Sequence, residues 1–93
     1  MGLFRIPVSA EKVEALPATM QELGYPVVRI QKEVDAVYYF CLNPKRANKN
    51  WMCWITSDDA GRPRYFQCGI SQFSKRVIGS LNFQGFFPKE PSR

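Results

Sequence analysis

The sequence predicts a single small α+β domain, with one antiparallel sheet of four or five strands and a kinked N-terminal helix packed on one of its faces. Three observations predict this. The chain has 93 residues, which suffice for one hydrophobic core and not for two. Apolar residues between positions 10 and 23 recur at helical steps of three and four. From residue 27 to 70, apolar residues alternate with polar ones or form short runs between turn-forming segments, as strands do.

The helix is predicted over residues 10–23. Ser9 is a suitable N-cap, and Gly24 is the residue type that commonly ends a helix. Pro17 either kinks this helix or divides it into two short helices, the second starting at Pro17 itself. The apolar stripe that would face the core consists of Val13, Leu16, Met20 and Leu23.

Strands are predicted on both sides of this helix. Residues 4–8 alternate in polarity, and Pro7 favours an edge position for that strand. The later strands cover residues 28–30, 37–42, 51–56 and 65–70. They are separated by a turn at 33–35, a polar and basic loop at 43–50, and a tight turn at 58–63.

Residues 71–93 admit two interpretations. Ser71 or Ser74 can cap a short helix over residues 75–78, or residues 75–81 form a further strand. The Phe-rich segment that follows is expected to pack on the body of the domain or on a partner. Because 93 residues suffice for only one core, we treat residues 1–93 as one domain.

Strand register decides which side chains share a face. Symmetric closure of the 58–63 turn places Cys53 opposite Cys68, and symmetric closure of the 43–50 loop places Tyr39 opposite Trp54. One face is then almost entirely apolar, and the other carries Tyr39, Trp54 and Tyr65. A slip of one residue would exchange the faces.

Two interpretations of the aromatic face remain open. Either Phe83, Phe86 and Phe87 cover it as ordinary core, or it is uncovered and offers rings to bases or to a protein partner.

The positive charge is concentrated in the second half of the chain. The formal net charge is +5; residues 1–35 hold four basic and five acidic side chains, whereas residues 45–76 hold seven basic and two acidic ones. The predicted topology brings five cations to one end of the sheet, namely Lys45, Arg46, Lys49, Lys75 and Arg76. Arg62 and Arg64 lie at the other end. Cations beside exposed rings are typical of surfaces that bind single-stranded nucleic acid.

Several function classes are disfavoured by what the sequence lacks. It has no His, no phosphate-binding glycine motif and no nucleophile elbow, so we expect no enzyme and no cofactor. Cys41, Cys53 and Cys68 lie inside apolar runs without metal-ligand spacing, which predicts buried reduced thiols, no metal site and a cytoplasmic protein. No apolar stretch reaches the ~20 residues of a membrane span.

Two functions from different classes fit these features. The first is a small inhibitor or adaptor that docks on a protein or ribonucleoprotein complex handling nucleic acid, since Tyr, Trp, Phe and Arg dominate binding hot spots. Inhibitors encoded by phages or mobile elements, such as anti-CRISPR proteins, have this size and lack of motifs, although no residue pattern carries a family resemblance. The second is a protein that binds RNA or single-stranded DNA directly through the basic loop and the aromatic sheet face.

Overall fold

The computed structural model describes residues 2–88, apart from the side chains of residues 46–48. It contains one five-stranded antiparallel sheet in the order β1-β5-β4-β3-β2, with helices on one face, which confirms the predicted α+β class. The strands are β1 (Leu3–Pro7), β2 (Val27–Lys32), β3 (Ala36–Asn43), β4 (Arg46–Ser57) and β5 (Pro63–Gly69). The helices are a 3-10 helix (Ala10–Ala15), α1 (Leu16–Glu22) and α2 (Gln72–Phe83).

The N-terminal helical segment changes type at Pro17. A 3-10 helix of six residues leads directly into α1, which has seven residues and carries Pro17 in its first turn. Proline lacks an N–H and is tolerated in the first turn of an α-helix, so the segment is divided into two helices there. The second helix begins at Leu16, one residue before the predicted start at Pro17. Leu16 and Met20 on α1 are buried, and Gly24 ends the segment with a φ of +96°.

The 58–63 turn forms as predicted. Asp58 Oδ1 accepts hydrogen bonds of 2.9 Å from the backbone N–H groups of Ala60 and Arg62. Gly61 has a φ of +81°, a conformation that glycine adopts without strain. The resulting register places Cys53 opposite Cys68 and Ile55 opposite Phe66, which confirms the predicted pairing of β4 with β5.

The prediction of a loop over residues 43–50 is wrong, because β3 extends to Asn43 and β4 already begins at Arg46. Only Pro44 and Lys45 separate the two strands, and the Lys45 N–H donates a 3.0 Å hydrogen bond to Asn43 Oδ1. An Asn-Pro pair sets up such a tight turn through the side-chain acceptor and the fixed proline φ. The polar residues that resemble a loop in sequence therefore form the start of β4.

This hairpin also shifts the predicted register of β3 against β4 by one residue. Leu42 and Asn43 are consecutive on β3, yet Leu42 pairs with Asn50 and Asn43 pairs with Arg46, so β4 bulges between these partners. Farther along the hairpin, Tyr39 pairs with Cys53 and Tyr38 pairs with Trp54. The β3 side chains consequently exchange faces relative to the prediction.

The core lies between the helices and one face of the sheet. The Ser71 side chain caps α2 by accepting a hydrogen bond from the Ser74 N–H. Residues 75–81 are therefore helical, and the alternative prediction of a strand there is wrong. After α2 the chain returns to the same face: the Phe87 ring lies 5.3 Å from that of Phe66, and the Ser9 N–H donates to the Phe86 carbonyl at 2.8 Å. The buried cluster contains Val8, Leu16, Met20, Tyr39, Cys41, Cys53, Ile55, Phe66, Cys68, Val77, Leu81, Phe86 and Phe87.

The predicted packing of the Phe-rich segment on the body is thus confirmed for Phe86 and Phe87, whereas Phe83 is 89% exposed. Residues 89–93 lie outside the described part. Within residues 2–88, neither α-helix has the length and apolar character needed to cross a membrane.

Candidate binding surfaces

The face of the sheet opposite the helices, called the outer face below, carries four partly exposed aromatic side chains, Tyr38, Phe40, Trp54 and Tyr65. The helices and the Phe86–Phe87 segment pack on the core face, so no described element covers the outer face. The alternating side chains of all five strands build it. Its members include Leu3, Arg5, Arg29, Gln31, Tyr38, Phe40, Met52, Trp54, Thr56, Tyr65 and Gln67.

A continuous row of paired residues crosses the middle of this face. Arg5 pairs with Gln67, Gln67 with Trp54, and Trp54 with Tyr38, so the row spans four neighbouring strands. The Trp54 and Tyr38 rings lie 5.8 Å apart with an interplanar angle of 31°. Trp54 Nε1 donates a 3.2 Å hydrogen bond to Gln67 Oε1, which holds the indole in one orientation. The rings are therefore arranged before any ligand arrives.

Arginines lie over rings near both edges of the face. The Arg5 guanidinium on β1 lies 4.1 Å from the centre of the Tyr65 ring, and Arg29 on β2 lies 5.1 Å from that of Phe40. Arg64 approaches Tyr65 as well, at 5.3 Å. None of the strand positions that contribute to the outer face is acidic, and the one carboxylate in contact with these side chains among the described hydrogen bonds is Glu33, just beyond β2, which accepts from Gln31 Nε2 at 2.7 Å. Cations near both edges and rings in between give this surface a positive potential.

The predicted members of the aromatic face are only partly correct. Trp54 and Tyr65 lie on the outer face, half-buried. Tyr39 does not: it is 6% exposed on the core face, because the tight β3–β4 turn and the bulge shift β3 by one residue. Its neighbours Tyr38 and Phe40 take its place.

The sequence prediction also missed Arg5 and Arg29. Arg5 had a usable signal, because its neighbours Phe4 and Ile6 pack in the core and alternation puts Arg5 on the other face. Arg29 lies beside a register shift in β2, which no sequence pattern marks.

A second surface lies at the end of the sheet near the β3–β4 turn. Here a cleft of about 480 Å³, called the basic cleft below, separates the hairpin from the start of α2. Its lining consists of Asn43, Lys45, Lys49, Asn50, Trp51, Ser71, Gln72, Phe73 and Arg76.

The predicted five-cation cluster is therefore assembled in part. Three of its members, Lys45, Lys49 and Arg76, line the basic cleft. Lys75 is exposed on α2 but does not line the cleft, and the Arg46 side chain lies outside the described part. At the other end of the sheet, Arg62 Nε lies 3.9 Å from Asp58 Oδ2, an exposed contact of little energetic weight.

The three cysteines are free and buried, as predicted. Burial raises the pKa of the Cys53 thiol well above its ordinary value, and burial raises that of Cys68 too. A hydrogen bond with Cys53 lowers the pKa of Cys41. No group of three or more His, Cys, Asp or Glu side chains within the described residues is arranged to hold a metal ion.

Comparison with protein-family models, with curated proteins and with solved structures finds no match to this chain. The fold and the two surfaces define a small α+β protein whose five-stranded sheet has helices on one face and, on the other, an aromatic face that no element within residues 2–88 covers.

Proposed function

We propose that this protein is a non-enzymatic binding module that takes single-stranded nucleic acid on the outer face of its sheet. One observation carries the proposal: the paired Trp54 and Tyr38 rings lie between arginines near opposite edges, on a face whose strand positions include no acidic residue. Because three buried free thiols fit a reducing compartment, we place this activity in the cytoplasm.

The outer face supplies both interactions that single strands use. Aromatic rings stack on unpaired bases at roughly 1–3 kcal/mol per base, and they tolerate any sequence because every base has a flat face. Arginines neutralise phosphates and release bound counterions. β1 and β2 are the two edge strands, about 19 Å apart at a spacing of about 4.8 Å per strand. Arg5 and Arg29 can thus contact phosphates on either side of the bases that stack on Trp54 and Tyr38.

Charge favours nucleic acid over a protein as the occupant of this face. A neutral protein partner would leave Arg5 and Arg29 desolvated without counter-charges, which is costly in an interface. The alternative is the predicted inhibitor or adaptor that docks on a protein of the nucleic-acid machinery. It draws support from two exposed apolar side chains on the same face, Leu3 and Met52, which are 57% and 37% exposed.

The experiment is an anisotropy titration of fluorescent single strands, DNA and RNA, of about eight nucleotides. The proposal predicts micromolar binding at low salt and a log-linear loss of affinity as salt rises. Trp54→Ala should weaken binding by about 5-fold to 150-fold, which corresponds to 1–3 kcal/mol. Arg29→Gln should reduce the salt slope by about one.

Phe83→Ala is the matched control, because Phe83 is an exposed aromatic residue on α2, which packs on the core face. It should leave the affinity unchanged. Equal losses for Trp54→Ala and Phe83→Ala would refute the location of the site. If no oligonucleotide binds at low salt, but a nuclease-treated lysate yields a stoichiometric protein complex that Trp54→Ala disrupts, the adaptor function replaces the proposal.

A further inference from the structure

We infer that the basic cleft binds a phosphate group, held by Lys45, Lys49 and Arg76 between the β3–β4 hairpin and the start of α2. A bound strand and a free nucleotide are the two possible sources of this group. Where the strand is the source, the inference rests on the proposed function and adds a second contact to it. The cleft lies at one end of the sheet, and its lining shares no residue with the Trp54 row.

Among the described residues, no acidic side chain lines the cleft beside its cations. Within the described residues, the one ion pair joins Arg62 to Asp58 at the opposite end of the sheet. Cations in one cleft repel each other, so an anion that sits among them relieves this repulsion as well as forming new contacts. A phosphate carries the required charge and several acceptor oxygens for the guanidinium and ammonium donors.

The remaining lining residues suit a phosphate that carries a larger group. Asn43 Oδ1 already accepts from the Lys45 N–H, which leaves the Asn43 amide hydrogens as donors. Trp51 and Phe73, whose ring centres are 5.6 Å apart, form an apolar wall. The volume of about 480 Å³ exceeds the needs of phosphate alone and lies in the range of small-molecule sites. A nucleoside monophosphate or the phosphorylated end of a strand matches this combination.

Two elements fix the cations around the cleft. The Asn-Pro turn sets the position of Lys45 on the hairpin, and α2 carries Arg76 on its second turn. α2 is anchored to the sheet beside the cleft, since Trp51 Nε1 donates a 2.8 Å hydrogen bond to Ser74 Oγ. The partial positive charge at the start of α2 adds to that of the three side chains.

The test is an NMR titration of the ¹⁵N-labelled protein with inorganic phosphate, with sodium chloride of matched ionic strength as the reference. We expect saturable shifts at the amides of Asn50, Ser71 and Gln72 and at the Trp51 indole N–H, and none of comparable size with chloride. Arg76→Gln should weaken phosphate binding by about fivefold, as expected for one close charge contact in water. Lys75→Gln is the matched control: it removes the same charge one residue away, outside the cleft, and should change the affinity less than twofold.

Further arms separate the two sources of phosphate. Tighter binding of a 5′-phosphorylated oligonucleotide than of its unphosphorylated form, lost in Arg76→Gln, identifies the strand. Binding of a nucleoside monophosphate without any oligonucleotide binding identifies the free nucleotide, and then the cleft stands while the proposed function fails.

The phosphate inference is overturned by three results: no saturable shift, equal shifts with chloride, or equal losses in Lys75→Gln and Arg76→Gln. Trp54→Ala should leave the phosphate titration unchanged, so failure of the cleft is distinguishable from failure of the outer face. Both charge variants alter exposed side chains, and thermal unfolding checks that each variant is folded.

Discussion

Ser74 is the most connected polar side chain in the core, and its removal tests how α2 is attached to the sheet. It is 1% exposed. Its Oγ accepts hydrogen bonds from Trp51 Nε1 at 2.8 Å and from the Ser71 hydroxyl at 3.0 Å. Ser74→Ala removes this acceptor and leaves the indole N–H without a protein partner.

The expected cost follows from burial. An unsatisfied buried donor costs about 1–3 kcal/mol. Because Trp51 is half-buried, its indole N–H can donate to water instead, which offsets part of this cost. The Ser71 hydroxyl is released to solvent at little cost. We therefore expect Ser74→Ala to lower the free energy of unfolding by about 2 kcal/mol. Urea denaturation followed by circular dichroism measures this value.

Two further variants make the result specific. Ser80→Ala is the matched control: Ser80 lies on the same helix with no side-chain hydrogen bond among the described residues, and its loss should change stability by less than about 0.5 kcal/mol. In a Trp51→Phe background, Ser74→Ala should cost about 1 kcal/mol less than in the wild type. Equal costs for Ser74→Ala and Ser80→Ala, or no coupling to Trp51, would refute this account of the contact.

Two more predictions concern ionisation and backbone conformation. Burial raises the pKa of Cys53 well above its ordinary 9.0 and raises those of Cys68 and Tyr39, so these three groups keep protons in the folded protein that they lose in the unfolded chain. The lowered pKa of Cys41 acts in the opposite direction, for one group against three. The unfolding free energy should therefore fall as pH rises beyond about 9, and it should fall less steeply in the Cys53→Ala variant. Urea denaturation at pH 8 and pH 10 measures this change. An unfolding free energy that stays constant or rises between the two pH values contradicts the prediction. Gly79→Ala should stabilise the protein by about 0.5–1 kcal/mol, because Gly79 is helical with open space around it. Gly61→Ala should destabilise the protein by about 1–2 kcal/mol, because Gly61 has a φ of +81°, which is unfavourable for alanine. Thermal unfolding compares the two glycine variants, and equal shifts would contradict the assignment.

The sequence was sufficient to predict the class of the fold because local patterns determine it. Helical spacing of Leu16 and Met20, glycine at position 24 and the Asp58–Gly61 turn are all recognisable within a few residues. The register of β4 against β5 followed from that turn alone, since its ends determine which residues meet.

The composition of the outer face could not be predicted in full, because it depends on one register. A symmetric 43–50 loop puts Tyr39 on the outer face, whereas the two-residue turn and the β4 bulge put Tyr38 and Phe40 there. The polar residues of early β4 hide this, since they lack the alternation that marks a strand. The basic cleft was partly predictable, because chain direction alone brings Arg76 back to the hairpin end.

The central claim is that Trp54 lies on an uncovered surface that nucleic acid occupies, while Trp51 belongs to the packed side. The chain has two tryptophans, so Trp51→Phe and Trp54→Phe each leave a single one for acrylamide quenching, with and without a saturating oligonucleotide. With an oligonucleotide that carries no terminal phosphate, we predict that Trp54 is quenched in the free protein and protected in the complex, and that quenching of Trp51 is the same with and without the oligonucleotide. Quenching of Trp54 that is weak from the start, or unaltered when the oligonucleotide is bound, would contradict the claim.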